Sequence, residues 1–254
     1  MRLYVYLLAL MMGMSAWATE KAMSTGINDN MQQILSIDVF ESELGDLSVE
    51  ELKKLVSEGN SEAQFVLAWK YAEGNGVEQS DKKAFLLWEQ AANQGDFRSM
   101  FLLGELYYKH QNPEEPNVRY NIDEISDKEA AQRSFFWYKK AAEQGVMEAQ
   151  HNLGVMYYNG DGVEEDFDQA VKWFEKAAEQ GQTEAQYNVG LMYYHGQGVQ
   201  QDYAQAFRWY EKAAEQEYAK AQYNLGSLYF LGQGVEEDLA QAAKWYEKVA
   251  EQGD

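Results

Sequence analysis

The sequence predicts an all-α protein, a solenoid of five helix-turn-helix units preceded by a capping helix. The first observation is a pattern that returns every 36 residues: the stretch 196–199 (GQGV) recurs at 232–235, and Trp209-Tyr210 recurs as Trp245-Tyr246. The second is the helical spacing of apolar residues within each unit. Because one helix pair cannot bury its apolar faces alone, tandem copies are expected to stack into a continuous core.

The first helix of a unit is best seen in residues 183–195. Ala185, Val189 and Met192 share one helical face. Gly190 lies in that face, and we expect it to allow the close approach of a neighbouring backbone. Gly196 is expected to end the helix, because glycine tolerates the left-handed conformation that follows many helix C-termini.

The second helix of the same unit is predicted to begin after Asp202, which caps it. Ser80, Asp166 and Asp238 hold the same position in other units. Ala206, Trp209, Tyr210 and Ala213 form its apolar face. Glu217 stands where other units have glycine, which predicts a locally different turn between units four and five. The five units are predicted near residues 61–96, 97–146, 147–182, 183–218 and 219–254.

Unit two departs from the repeat, because 14 residues are added where the glycine loop should be. Pro113 and Pro116 exclude a continuous helix there, and Ser126 or Asp127 is expected to cap an early second helix. Two interpretations of the insertion at 110–126 stay open. It is either a tolerated surface loop or a projection that contributes a specific contact.

The N-terminus predicts export. Arg2, the apolar stretch 3–14 and Ala16-Trp17-Ala18 have the order of a signal peptide over residues 1–18. The apolar stretch is shorter than the ~18 residues that span a bilayer, although an uncleaved anchor is the alternative. Residues 19–46 carry no repeat, and the stretch 47–58 predicts a capping helix with a Ser48–Glu51 capping box.

Composition limits the partners. The net charge is −21 and there is no cysteine. Such an acidic surface disfavours nucleic acid and anionic membranes and favours basic protein partners, although solubility alone is an alternative explanation. After signal removal we expect no stable membrane insertion. The last unit ends at Asp254 without a polar cap, which predicts a partner or self-association at that face.

No motif predicts catalysis, a metal site or a cofactor. The three histidines, at 110, 151 and 195, do not have metal-ligand spacing. The Gly-x-Gly loops follow helices rather than strands and lack the P-loop lysine, so they are interpreted as turns. The chain is therefore not expected to be an enzyme.

The repeated motif has a known relative. The pattern Ala-x-Tyr-x-Leu-Gly-x-x-Tyr, then Gly-x-Gly-Val-x-x-Asp, then Ala-x-x-Trp-Tyr-x-Lys-Ala-Ala-Glu-Gln-Gly closely resembles the Sel-1-like repeat, a branch of the tetratricopeptide-type solenoids. The stretch 221–229 matches its first part almost fully, and the resemblance covers residues 61–254. It implies a right-handed α/α solenoid, and it is a weak guide to function.

The resemblance also implies a binding groove, because first helices line the concave face of tetratricopeptide-type solenoids. Positions five, nine and twelve of these helices are rich in aromatic residues, which suit peptide binding. The alternative is that a third to a half of these side chains pack on adjacent helices. The predicted partner-binding residues are Phe65, Trp69, Phe101, Glu105, Tyr108, His151, Tyr158, Tyr187, Leu191, Tyr194, Tyr223 and Phe230.

The preferred functional hypothesis is a scaffold or adaptor that binds a protein segment in this groove, with a regulatory or assembly role in the bacterial envelope. A secreted factor that contacts host cells is one alternative, which differs only in destination. An enzyme acting on cell-wall or β-lactam substrates is another, although the chain lacks the cysteines of the relatives for which such activity is discussed.

Overall fold

The computed structural model describes residues 44–110 and 125–253, and in these ranges it contains helices and no strand. The predicted signal peptide, nearly all of the segment 19–46 and most of the insertion lie outside the described residues. The helices are α1 Val49–Ser57, α2 Ser61–Glu73, α3 Asp81–Asn93, α4 Phe97–His110, α5 Asp127–Glu143, α6 Met147–Asn159, α7 Phe167–Glu179, α8 Thr183–His195, α9 Tyr203–Glu215, α10 Ala219–Leu231 and α11 Leu239–Gln252.

The helices form the predicted stack of five pairs. The first, inner helix of each unit packs against the second, outer helix of its own unit and against the outer helix of the unit before it. As a result, every residue of 149–156 in α6 and of 185–192 in α8 is buried. The all-α solenoid predicted from the 36-residue period is confirmed, with its core running through the inner helices.

The loops inside units one, three, four and five close in the same way. The backbone N–H of Asp166 donates to the carbonyl of Tyr157 at 2.9 Å, and Asp202 bonds to Tyr193 in the same way at 3.0 Å. The Asp202 side chain accepts from the backbone N–H groups of Ala204 and Gln205, so it caps α9 as predicted. Ser80, Asp166 and Asp238 cap their helices similarly.

The Ala-Gln pair that marks the start of each unit has a structural role. Gln180 Nε2, at the end of unit three, donates to Gln150 Oε1 at 2.7 Å and to the Gly145 carbonyl at 3.2 Å. Gln150 Nε2 in turn donates to the Ala142 carbonyl of the preceding unit at 3.2 Å. Units one, four and five contain the same glutamine pair, 30 residues apart. These hydrogen bonds connect the beginning of a unit to its end, and connect the unit to the one before it.

Helix α1 occupies the place of an outer helix before unit one. Ser48 and Glu51 form the predicted capping box, and Leu52 is fully buried in the core. Val49, at the start of α1, packs against Gly76 in the loop of unit one. Phe167 and Tyr203, the first residues of α7 and α9, lie against the next loop through their backbone, so α1 covers the stack as the other outer helices cover their neighbours.

Gly190 has a different neighbour from the one expected. A Cβ at this position would lie 2.6 Å from two ring atoms of Tyr210, and no backbone atom is among its near contacts. The inner glycines therefore accommodate an aromatic ring of their own unit's outer helix. Units two, three and five place Tyr138, Phe174 and Tyr246 against Gly104, Gly154 and Gly226. The close approach to backbone belongs instead to the second glycine of the loops.

The sequence predicts that the turn between units four and five differs from the other turns between units, but the structure shows the same turn there. Glu217 has φ +63°, in the same left-handed region as Gly181 and Gly145. Its N–H donates to Ala214 O at 3.1 Å, as the N–H of Gly181 does to Ala178 O at 3.1 Å. A glutamate therefore adopts the glycine conformation, which costs about 1–2 kcal/mol for a residue with a Cβ.

We expect Glu217→Gly to stabilise the chain. It removes the left-handed strain, partly offset by the greater freedom of glycine in the unfolded chain, so the net gain in free energy of unfolding is about 0.5–1 kcal/mol. Urea unfolding followed by circular dichroism measures it. Glu215→Gly, in the last turn of α9, is the control and should destabilise. A destabilised Glu217→Gly would show that the strain is absent.

Candidate protein-binding surface

Half of the predicted groove residues lie inside the molecule. The buried ones are at most 4% exposed. Position five of the inner helix is buried in units one to four: the Tyr187 ring, for example, is 5.8 Å from that of Tyr210 in its own outer helix and 5.3 Å from that of Tyr218. This burial raises the pKa of Tyr187 to about 12. The groove prediction is corrected at these positions, which are Phe65, Phe101, Glu105, His151, Tyr187 and Leu191.

The buried polar members of this set form a chain of hydrogen bonds across three units. Asn152 Nδ2 and the Tyr138 hydroxyl donate to Glu105 Oε1 at 3.0 and 2.6 Å. His151 Nδ1 lies 3.3 Å from Asn152 Oδ1, and its Nε2 lies 3.1 Å from Asn188 Nδ2. Such a network links the inner helices of units two, three and four. Its role is cohesion between units rather than partner contact.

Burial also determines the protonation of His151. Loss of hydration disfavours the imidazolium and outweighs the opposing hydrogen bond to Asn152, so the pKa of His151 falls to about 4. Phe174 packs 5.6 Å away, ring to ring. Tyr187 and Tyr223 occupy the same position in units four and five, so His151 replaces an aromatic ring of the repeat.

The remaining predicted residues are partly exposed, and most of them lie at one edge. They are Trp69, Tyr108, Tyr158, Tyr194, Tyr223 and Phe230. Position twelve contributes four of them, one in each of units two to five, near the C-terminal end of the inner helix. Tyr158 contacts Phe167 at 5.1 Å and exchanges hydrogen bonds with Gln197 in the next unit's loop at 3.3–3.4 Å. Tyr194 contacts Tyr203 at 5.3 Å. Their rings are held in place by these contacts and the residues stay partly exposed.

The loops that follow these aromatic residues are acidic. The loops 74–80, 160–166, 196–202 and 232–238 together contain nine Asp or Glu residues and no Lys or Arg. By contrast, the outer helices α3, α5, α7, α9 and α11 contain twelve acidic and twelve basic residues. The excess negative charge of the described chain therefore lies away from the outer helices. We name the position-twelve aromatics Tyr158, Tyr194 and Phe230, with the loops 160–166, 196–202 and 232–238, the loop edge.

Sequence reasoning found the aromatic residues of the loop edge but placed them in a groove. The signal it missed is the charge of the loops. These loops follow partly exposed aromatic residues and contain acidic residues but no Lys or Arg. In the described ranges no cluster of His, Asp and Glu is arranged to hold a metal ion. None of the helices described is both long enough and apolar enough to cross a membrane.

The chain resembles two solved structures of bacterial repeat proteins. A protective antigen of uropathogenic Escherichia coli strains, which displays an SLR fold, is 37% identical with a TM-score of 0.69; the match covers 82% of this chain and 42% of the antigen. A Sel1 repeat protein from Oxalobacter formigenes is 28% identical with a TM-score of 0.69, covering 89% and 86% of the two chains. No curated protein gives a significant match.

The family model gives the clearest assignment. The Sel1 repeat model matches residues 61–96, 128–146, 148–182, 183–218 and 219–254, which is well over half of the chain. In the second unit it matches only the part after the insertion. The repeats, the helix pairs and the two structural neighbours agree, and the chain belongs to the Sel1 repeat family.

Proposed function

We propose that this protein is a non-enzymatic scaffold that binds a basic segment of a partner protein along the loop edge. Sel1 repeat proteins generally mediate protein–protein interactions. The observation that carries the proposal is the row of partly exposed aromatics that precede cation-free, acid-containing loops, one set in each of units three, four and five. Aromatic side chains supply contact area at low entropic cost, and the loop carboxylates favour a partner rich in Lys and Arg.

The loop edge suits an extended segment better than a globular surface. The same aromatic position and the same loop recur in consecutive units, so the contacts repeat along the stack. The faces of Tyr158 and Tyr194 can accept cations in addition to apolar side chains. The outer helices already hold such pairs internally, since Lys176 Nζ lies 3.7 Å from the centre of the Trp173 ring and Lys212 Nζ 3.9 Å from that of Trp209.

We further propose that the protein is exported to a bacterial envelope, where it has a regulatory or assembly role. The signal-peptide pattern of residues 1–18 supports this. So does the description of the 37% identical relative as a protective antigen. Fractionation of the periplasm against the culture medium distinguishes this location from the alternative, a secreted factor that contacts host cells.

The loop-edge proposal is tested with two variants of equal charge. Random 16-residue peptides are selected by display on the immobilised chain, and the Lys- and Arg-rich ones are labelled for fluorescence anisotropy. Changing Glu164, Glu165, Glu236 and Glu237 to Gln should weaken their binding about tenfold, because these carboxylates flank the aromatic row. The control changes Glu143, Glu179, Glu215 and Glu247 to Gln, on the outer helices, and should change binding less than about twofold.

Two further results decide the matter. Tyr158→Ala with Tyr194→Ala should also weaken binding about tenfold or more, as expected for aromatic contacts, with circular dichroism unchanged. If both glutamine variants lost the same amount of peptide affinity, net charge alone would explain the loss. That result would contradict a local binding site at the loop edge. Failure to select any basic peptide would contradict it as well.

A further inference from the structure

The outer helices of units one and two expose a large apolar side chain where the other three units carry a cation. Leu86 is 47% exposed and Phe136 is 48% exposed. Each of them lies two positions before an aromatic residue of the repeat. The residues at the same position in units three, four and five are Lys172, Arg208 and Lys244, and all three are exposed. Since three units stack with a charge at this position, packing of the solenoid does not require Leu86 or Phe136.

Leu86 and Phe136 hold the same position in the outer helices of two consecutive stacked units, so both lie on the outer surface of the stack. Tyr107 of α4 lies between the outer helices: its ring is 5.9 Å from that of Phe85, and its hydroxyl accepts from Arg133 Nη1 at 3.1 Å. Burial raises the pKa of Glu89 in α3, and the positive charge of Arg133 in α5 opposes that rise. The two side chains therefore interact electrostatically across the gap between α3 and α5.

The surface around Leu86 and Phe136 is basic, in a chain of net charge −21. Helix α3 exposes Lys82 and Lys83 and no acidic residue, since Asp81 and Glu89 are partly buried. Helix α5 exposes Lys128, Lys139 and Lys140 against Asp127 and Glu143, whereas its exposed Arg133 is paired with Glu129 at 2.6 Å. Helices α7, α9 and α11 each expose two cations and two anions. Local positive charge and exposed apolar side chains therefore coincide in units one and two alone among the described units.

We propose that this basic apolar patch, made of Leu86, Phe136, Lys82, Lys139 and Lys140, docks an acidic segment of a partner protein that carries apolar anchor residues. The partner's apolar side chains cover Leu86 and Phe136, and its carboxylates pair with the lysines. Lys140 Nζ lies 5.1 Å from the centre of the Phe136 ring, next to where such a carboxylate would sit. Exposed apolar residues rimmed by charge are typical of interaction sites, and the sign of the rim selects the partner.

This surface is separate from the loop edge and selects the opposite charge. The loop edge joins cation-free acidic loops to tyrosines, whereas the patch joins lysines to a leucine and a phenylalanine. A chain with both surfaces can hold a basic and an acidic segment at the same time. The inference does not depend on the loop-edge proposal, because its residues lie on other helices.

The test compares display selections on the wild-type chain and on Leu86→Lys/Phe136→Lys. The variant introduces a cation, as units three to five carry at this position, so it should stay folded. We expect 16-residue peptides recovered only on the wild type to be rich in Asp and Glu with Leu, Phe or Trp. A labelled peptide of this group should bind the variant at least about tenfold more weakly, although the variant is more positive.

Further arms separate the alternatives. Lys139→Glu/Lys140→Glu should also weaken the acidic peptide about tenfold, and added NaCl should weaken its binding to the wild type. Leu86→Ala/Phe136→Ala replaces the first variant if that variant unfolds. The proposal is overturned if no recovered peptide depends on the patch, or if the dependent peptides are basic or uncharged. Patch-dependent binding of phosphatidylglycerol vesicles in place of acidic peptides would equally overturn it.

Discussion

Gly198→Ala should destabilise the chain by about 3 kcal/mol or more. A Cβ at Gly198 would meet the backbone carbonyl of Phe167, the first residue of α7 in the preceding unit. Backbone cannot move away as a flexible side chain can, so the two units would have to separate locally. The left-handed φ of +67° adds about 1–2 kcal/mol of strain. Urea unfolding monitored by circular dichroism measures the loss.

Gly181→Ala is the matched control for this prediction. Gly181 also has a positive φ, +101°, but an added Cβ would find nothing within 4 Å. Its cost should therefore be the backbone strain alone, about 1–2 kcal/mol. The difference between the two variants measures the contact between consecutive units. Equal losses would mean that the loop glycine does not hold units together.

His151→Tyr should make the chain more resistant to acid. In the folded chain the pKa of His151 is lowered from 6.5 to about 4. Between these values the unfolded chain binds the proton and the folded chain does not, so the free energy of unfolding falls as the pH drops from about 6.5 to 4. The contribution is about 1.4 kcal/mol per pH unit, roughly 3 kcal/mol in total.

Tyrosine at this position is compatible with the repeat, because Tyr187 and Tyr223 hold the same place. The measurement is urea unfolding at several pH values between 4 and 7.5, where the difference between variant and wild type should grow as the pH falls. His195→Gln is the control: partial burial also lowers the pKa of His195, but this side chain lies outside the buried network, so its removal should change the pH profile less than His151→Tyr does. Parallel pH profiles for His151→Tyr and wild type would contradict the assignment.

The sequence allowed most of the fold to be predicted, because the repeat itself carries the information. Asp166, Asp202 and Asp238 cap their helices as expected, and Ser48 with Glu51 closes α1. Glu217 was misjudged because local propensity favours glycine at a left-handed position. Gln216, the residue before it, is nevertheless held by hydrogen bonds to the Gly181 carbonyl of the preceding unit and to Gln186, and the turn keeps the glycine conformation. Stacking therefore overrides one unfavourable residue.

The site was less predictable, because exposure depends on the spacing between helices. The rule that inner helices line an open groove was taken from related solenoids. In this chain Gly190 lets the Tyr210 ring approach the inner helix closely, so Tyr187 is covered. Tyr158 and Tyr194 stay partly exposed because they lie at the helix ends, beside the loops. No periodic pattern separates these two cases before the stacking is known.

The most direct test of the central claim is a hydrogen–deuterium exchange footprint of the wild-type chain with a selected basic peptide. Loop amides exchange quickly unless they are covered, so protection there reports contact. We predict slowed exchange in 160–166, 196–202 and 232–238, and no change in the outer helices α7 and α9. Protection confined to those outer helices, with the loops unchanged, would contradict binding at the loop edge.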